Sequence, residues 1–139
     1  MSISDTIAEF AQDLLPTVQY GFTSKDTSDV HWQVRRFSLH ESLSAPYRLE
    51  IELWTEDLGV QPTGLLGDSC TLTIERDGKG RRVHGIIHHV DMLPAVLERM
   101  RVRVVAAPAL HLLTYQRNTR FWQEKTALEI LDEVLGPAL

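Results

Sequence analysis

With a single cysteine, Cys70, the chain forms no internal disulfide, and the thiol's place in an alternating apolar segment marks it as a small buried side chain kept reduced. No apolar run approaches the roughly 18 residues of a membrane-spanning helix. The first 30 residues lack the basic start and continuous apolar stretch of a signal peptide, so a cytoplasmic location at synthesis is expected. Catalytic signatures are missing too. There is no G-x-S-x-G elbow, no H-E-x-x-H helix and no phosphate-cradling glycine loop, because Gly78 and Gly80 belong to a hairpin turn. No catalytic residue, cofactor or metal is therefore assigned. Internal repeats, linkers and low-complexity segments are also lacking.

What is present suits one globular domain. At 139 residues and 43% hydrophobic, the chain is long enough to bury a core without disulfide or metal staples. Its net charge of -5, from 14 basic and 19 acidic residues, argues against a nucleic-acid binder. The charge is unevenly spread. Residues 76–103 carry seven basic groups against three acidic ones, whereas the first 34 residues carry five acids against Lys25. Surfaces of opposite sign are able to meet across a subunit boundary, although solvated strand faces and turns account for most residues of this kind.

The clearest local pattern is a β-hairpin. Cys70, Leu72 and Ile74 alternate with Thr71, Thr73 and Glu75, and a glycine-containing turn holding Gly78 and Gly80 hands over to a second β-prone run through Ile87. Upstream, Ile3, Ile7, Phe10 and Leu14 fall four, three and four residues apart, one stripe of an amphipathic helix that Pro16 ends. Residues 1–16 are read as this helical segment and 17–139 as the barrel domain. Residues 18–23 read as a short strand followed by a polar turn. Between Trp32 and Leu39 the apolar parity switches at Arg35-Arg36, which predicts a bulge. Glu41 to Ala45 reads as a connector ended by Pro46. Leu49, Ile51 and Leu53 then face inward, with Arg48, Glu50 and Glu52 on a solvated face. A loop over 56–64 leads into the hairpin, Asp91 to Pro94 reads as a turn, and Val102 and Val104 face in against Arg101 and Arg103. Ala109 to Tyr115 reads as a helical turn. A final helix starts at a Thr126–Glu129 capping box, carries a Leu128, Leu131, Leu135 stripe and stops at Gly136-Pro137. Five or six strands at short spacing suggest an antiparallel barrel or sandwich.

Candidate sites are few. His84 and His88 share a strand face by alternation, but four residues of strand hold their Cα atoms about 13 Å apart, and His88 and His89 point oppositely, so a shared metal is not expected. Glu50 and Glu52 share a face, as alternation on a solvated strand predicts without any glycosidase pair. Trp32, Trp54 and Trp122 lie in separate segments and read as core or subunit contacts rather than a stacking platform. Gly67 and Gly85 mark places where the backbone bends or is closely approached, and Trp54 sits on the outward face as a contact candidate. The stripe residues Ile7, Phe10 and Leu14 are candidates for docking onto a neighbour.

Several segments also resemble, in order, the VgrG family of type VI secretion spike proteins, relatives of the hubs of contractile phage tails. They are Phe37 through Leu53, Leu65-Leu66-Gly67, Arg82 through Ile87, Pro108-Ala109-Leu110, and Arg120 through Thr126 continuing to Leu135. The resemblance implies a mainly β fold with helices: a split antiparallel β-barrel of the phage tail hub or type VI tube-like type. It further implies a non-enzymatic homotrimer seated on an Hcp-like inner-tube ring within a baseplate, which meets membrane only by puncture. Such a part assembles in the cytoplasm and is then secreted or injected to help deliver effectors. Family chains continue into a second barrel, an oligonucleotide/oligosaccharide-binding-like domain and a needle that carries effectors or a tip protein. A chain stopping at Leu139 therefore reads as an N-terminal fragment. The alternatives are the hub of a contractile phage tail or related injection particle, and a small β-barrel with a polar interior pocket for a ligand.

Overall fold

The computed structural model describes residues 18–136. The N-terminal stripe of Ile7, Phe10 and Leu14 lies outside the described residues, as does Pro137. Six strands form one antiparallel sheet: β1 (Val18–Ser24), β2 (Gln33–Ser42), β3 (Ala45–Thr55), β4 (Ser69–Arg76), β5 (Lys79–Val96) and β6 (Arg99–Ala107), in the order β1-β4-β5-β6-β3-β2. Short 3-10 turns cover Pro62–Leu65 and Ala109–Tyr115, and α1 covers Ala127–Leu135.

The sheet curls until its two edges meet. Tyr20 on β1 and Phe37 on β2 pack edge to face with ring centroids 5.4 Å apart, although β1 and β2 share no hydrogen-bonded ladder. Arg81 on β5 and Glu41 on β2, three strands apart in the sheet, are joined at 2.6 Å. The result is the split barrel expected from the sequence, closed by side chains along one seam. Its interior holds Leu49, Ile51, Leu53, Leu72, Ile87, Val102 and Val104, each 0–1% exposed. Burying each such side chain contributes about 1.5–3 kcal/mol, so the barrel is held by a filled core. Trp32 and Leu65 are buried in the same cluster.

The parity switch at Arg35-Arg36 is a bulge: Val34 pairs with Leu53 and Arg36 with Glu52, leaving Arg35 as the extra residue. The Asp77-Gly78 turn has positive φ at both residues (51° and 73°), the geometry that suits a two-residue hairpin. Two local expectations are corrected. Glu41 to Ala45 is no open connector, because β2 and β3 form a tight hairpin around Leu43-Ser44, with Ser42 opposite Ala45 and Ser44 at φ 66°. Asp91 to Pro94 does not turn the chain. β5 runs on to Val96 with a register shift between Leu93 and Val96, an irregularity that accommodates a proline without a backbone N–H. The turn falls instead at Leu97-Glu98, both left-handed (φ 53° and 58°) without an Asn or Gly to mark it. The loop over 56–64 also contains the start of the Pro62–Leu65 turn.

Helix α1 begins at the expected capping box. The Thr126 side chain accepts from the Glu129 backbone, and the Glu129 carboxylate accepts from the Thr126 backbone N–H at 2.7 Å. Its leucine stripe is covered only at its end: Leu128 is 75% exposed and Leu131 51%, while Leu135, like Ile130 and Val134, is half-buried.

Candidate functional site

The outward face of β2, β3, β6 and β5 carries an ordered array of charge. Register alone sets Arg36, Glu52, Arg103 and Asp91 in one row across the four strands. The bulge adds a fifth group, since with one residue unpaired both Arg35 and Arg36 reach the same carboxylate. Glu52 accepts a 2.7 Å hydrogen bond from Arg36. It also lies 3.5 Å from Arg103, 3.6 Å from Arg101 and 4.0 Å from Arg35. Neighbouring Glu50 meets Arg48 at 3.1 Å and Arg103 at 3.5 Å.

Glu52 is only 5% exposed, which overturns its assignment to a solvated face. The guanidinium groups of four arginines, Arg35, Arg36, Arg101 and Arg103, converge on its carboxylate. Burial pushes its carboxyl upward, but the hydrogen bond and charge of Arg36, with Arg103 and Arg101, outweigh that and hold it below the usual carboxylate range. It is a fixed anion at neutral pH. A glycosidase-like pair would need one carboxyl that keeps its proton, and Glu52 does not.

One row over, Trp54 is half-buried on the same face, opposite Arg101 on β6. The Arg99 guanidinium lies 3.9 Å above its ring, and Arg99 also meets Glu56 at 3.0 Å. Arg35, Trp54, Val96, Leu97, Arg99 and Arg101 line a shallow groove there, three of them cationic and three apolar.

The glycines have distinct backbone roles. Gly67 is left-handed at φ 85°, and its N–H donates to the Ile87 carbonyl at 2.7 Å. At Gly85 a Cβ would meet the Ala107 carbonyl oxygen at 3.1 Å and the Ala106 Cβ at 3.2 Å.

His84, His88 and His89 each take a different partner. His84 bonds the Thr71 hydroxyl at 2.9 Å, and His89 meets Asp91 at 3.0 Å. A register shift between Ile87 and His89 makes His88 the unpaired residue, and its ring packs 4.6 Å from that of His111. Burial, then the nearby His111, lowers its pKa.

Sequence reasoning also missed Asp68, 5% exposed at the start of β4. Its carboxylate accepts from the Ser24 hydroxyl, from the Asp26 N–H at 2.7 Å and from the Ser69 N–H at 2.7 Å. The hydroxyls of Ser24 and Thr27 are 3.0 Å apart, and Trp32 Nε1 donates to Thr27 at 3.0 Å. This chain of bonds ties the β1–β2 connection to β4. Burial raises the Asp68 carboxyl and the bonds from Ser24, Asp26 and Ser69 more than offset it. No histidine stands beside Ser24 in this chain of bonds, so it positions backbone rather than activating a nucleophile. Cys70 is buried and its thiol is pushed up to about 12 by burial and by Asp68, far from a reactive thiolate.

The face thus offers fixed charge and one half-buried tryptophan capped by an arginine, which suits a contact surface. Comparisons with known proteins agree. Residues 40–138 match the family described as phage tail baseplate hub (GPD). Two type VI secretion system spike proteins of Pseudomonas aeruginosa are similar: VgrG2a, 32% identical over 105 residues, and VgrG4b, 33% identical over 103. These matches cover 75% and 74% of this chain but 12% of each relative, so the chain spans about an eighth of their length. Among solved structures, an E. coli type VI secretion component described as similar to the T4 bacteriophage tail proteins gp27 and gp5 matches in fold. Its TM-score is 0.65 at 24% identity, covering 86% of this chain and 31% of that one. A Neisseria meningitidis tail protein matches with TM-score 0.57 at 15% identity, covering 85% of this chain and 33% of that one. A curled, filled antiparallel barrel with a capped C-terminal helix and a family match over most of its length place the chain in the phage tail baseplate hub family, a family of structural proteins and not of enzymes, to which the VgrG spike proteins are related.

Proposed function

We propose that the chain is the N-terminal hub domain of a type VI secretion spike, with residues 17–139 as its barrel unit. In this reading three copies assemble into a ring that seats on the inner tube, and the complete spike helps deliver effectors into target cells. Assembly is cytoplasmic and precedes injection. The observation that carries the reading is the match to spike proteins over three quarters of the chain. The filled barrel supports it mechanically. Axial load on such a barrel spreads over the backbone hydrogen bonds of five strand pairings. A filled interior also disfavours the ligand-binding barrel, since the core cluster is built of buried apolar side chains.

The hub of a contractile phage tail is the second reading, favoured by the family description itself. Light scattering on the chain over a concentration series, alone and with the inner-tube protein of a type VI system, tests the proposal. A trimer, or a stable complex with the tube ring, is the expected result. A chain that never binds the tube, even when lengthened toward the full relatives, overturns the type VI assignment.

A further inference from the structure

The two ends of the barrel are closed differently. At one end Trp32, from the β1–β2 connection, and Leu65, from the Pro62–Leu65 turn, are buried in the core at 4% and 0% exposure. Chain between the strands therefore seals that end. At the other end the connections are two tight hairpins, at Leu43-Ser44 and Asp77-Gly78, which turn straight back along their own strands.

Along the inward rows, exposure rises toward this second end. Phe22 is 6% exposed, and Tyr20, two residues nearer the end, is 49% exposed. In the same direction buried Leu72 gives way to half-buried Ile74, and buried Leu49 to half-buried Tyr47. Tyr20, Phe37, Leu39, Tyr47 and Ile74 thus ring an apolar mouth, with the Arg81–Glu41 pair joining its two sides.

Chain order leaves one segment to cover it. β6 ends on this side too, but the turn that follows is held by the packing of His111 on His88, seven residues of strand, about 23 Å, along β5 from Arg81. The remaining strand end is the start of β1. Val18 stands opposite Arg76, beside the Asp77-Gly78 turn, so the residues before Val18 enter the barrel at the mouth itself.

Those residues bring what the mouth lacks. Ile3, Ile7, Phe10 and Leu14 make an apolar stripe at helical spacing, and a helix from Ile3 to Leu14 would span about 18 Å, against roughly 10 Å across a six-stranded barrel. The signs of charge agree as well. Residues 1–16 hold Asp5, Glu9 and Asp13 and no Lys or Arg. At the rim, Arg76 and Lys79 face each other across the hairpin beyond Ile74, and Lys79 takes part in no ion pair among the described residues.

We propose that residues 1–16 fold back as an amphipathic helix whose Ile7, Phe10 and Leu14 stripe caps the open mouth of the same chain's barrel. Leu15, Pro16 and Thr17 alone separate that stripe from β1, so the contact is intramolecular and needs little intrinsic affinity. The cap covers core side chains at the end that no strand connection crosses. The inference stands apart from the hub reading, because it concerns how one copy completes its own core.

The test uses the full chain with a nitroxide spin label on Ser4→Cys, the core thiol Cys70 staying buried and unlabelled. In NMR spectra of the isotope-labelled protein, the amide signals of Tyr20, Phe37 and Ile74 should be lost, and those of Trp32 and Leu65 at the sealed end kept. Adding I7S/F10S to the labelled chain should restore the lost signals. The same double substitution should lower the urea midpoint by roughly 1 M or more, because the mouth side chains lose their cover.

Mouth signals that survive beside the label overturn the inference. So does their equal loss in I7S/F10S, since a loose tail passes the mouth without docking on it. An unchanged urea midpoint overturns it too. Losses centred on Leu128 and Leu131 place the segment on α1 and overturn it. Losses in a mixture of spin-labelled chains with separately isotope-labelled ones make the occupant a second copy, which also overturns it.

Discussion

Arg36 and Glu52 face each other across β2 and β3, joined by a 2.7 Å hydrogen bond that leaves the arginine head in solvent and the carboxylate almost sealed. The carboxylate is the shared counter-ion of four arginines, so it matters more than any one of them. Glu52→Ala should destabilise the fold by about 2–4 kcal/mol, because the arginines left behind repel one another at close range. Arg36→Ala should cost under about 1 kcal/mol, since that side chain is largely exposed and three arginines remain. Urea unfolding of the two variants checks the asymmetry; equal losses would mean that the array acts only as isolated surface pairs.

Asp68 supplies a pH signature. Its folded-state pKa lies below the unfolded value, so its contribution to stability is present above the ordinary aspartate range and lost as pH falls through the lowered folded value. Glu52 acts in the same sense. The melting temperature should therefore hold steady near neutrality and fall once pH drops below about 4. Asp68→Asn should lower the plateau and flatten the acid limb, because the asparagine neither titrates nor accepts as an anion from Ser24, Asp26 and Ser69. Melting curves of wild type and variant from about pH 2.5, below the carboxyl pKa values, up to about pH 7 would show it.

What could be read from sequence was local. The Arg35 bulge shows as a parity slip, the hairpin after β4 as a glycine-containing turn, although Gly80 lies in β5 and the turn itself is Asp77-Gly78, and α1 as a capping box. Leu97-Glu98 could not be read, because neither residue favours a left-handed turn and only the β5–β6 pairing imposes it. Pro94 misled for the same reason: it looks like a strand end until the irregularity beside Val96 is seen. Glu52 obeyed alternation in direction and defied it in burial, since its cover comes from residues of β2 and β6 that lie far apart in sequence. Trp54 was placed on the outward face by alternation, but its stacking with Arg99 depends on where the β5–β6 turn falls.

Cys70 gives a probe of opening. With its thiol pushed up to about 12 and its side chain inside the barrel, it should resist a thiol reagent at pH 8, a value about 4 units lower by the ordinary meaning of the scale. In denaturant the same thiol should react within the mixing and labelling time of an unfolded cysteine. The rate in native buffer then reports opening of the β4 end of the barrel. Fast labelling in native buffer would show that this end of the core is open in solution.

Gly85 and Gly67 test two different reasons for lacking a side chain. A methyl on Gly85 would sit 3.1 Å from the Ala107 carbonyl oxygen and 3.2 Å from the Ala106 Cβ, so Gly85→Ala must push β5 away from β6 or displace buried alanines. That overpacking should cost about 1–3 kcal/mol. At Gly67 nothing lies within 4 Å of the built Cβ, and the penalty is the left-handed backbone at φ 85° alone. Gly67→Ala should therefore cost about 1–2 kcal/mol. Gly67→Asn should recover part of that loss, because asparagine tolerates the left-handed region better than alanine does, whereas Gly85→Asn should be worse than Gly85→Ala because it is larger. Urea midpoints of the four variants separate the two cases: rescue by asparagine at position 67 and aggravation at position 85 is the expected pattern, and the same response at both sites would refute the distinction.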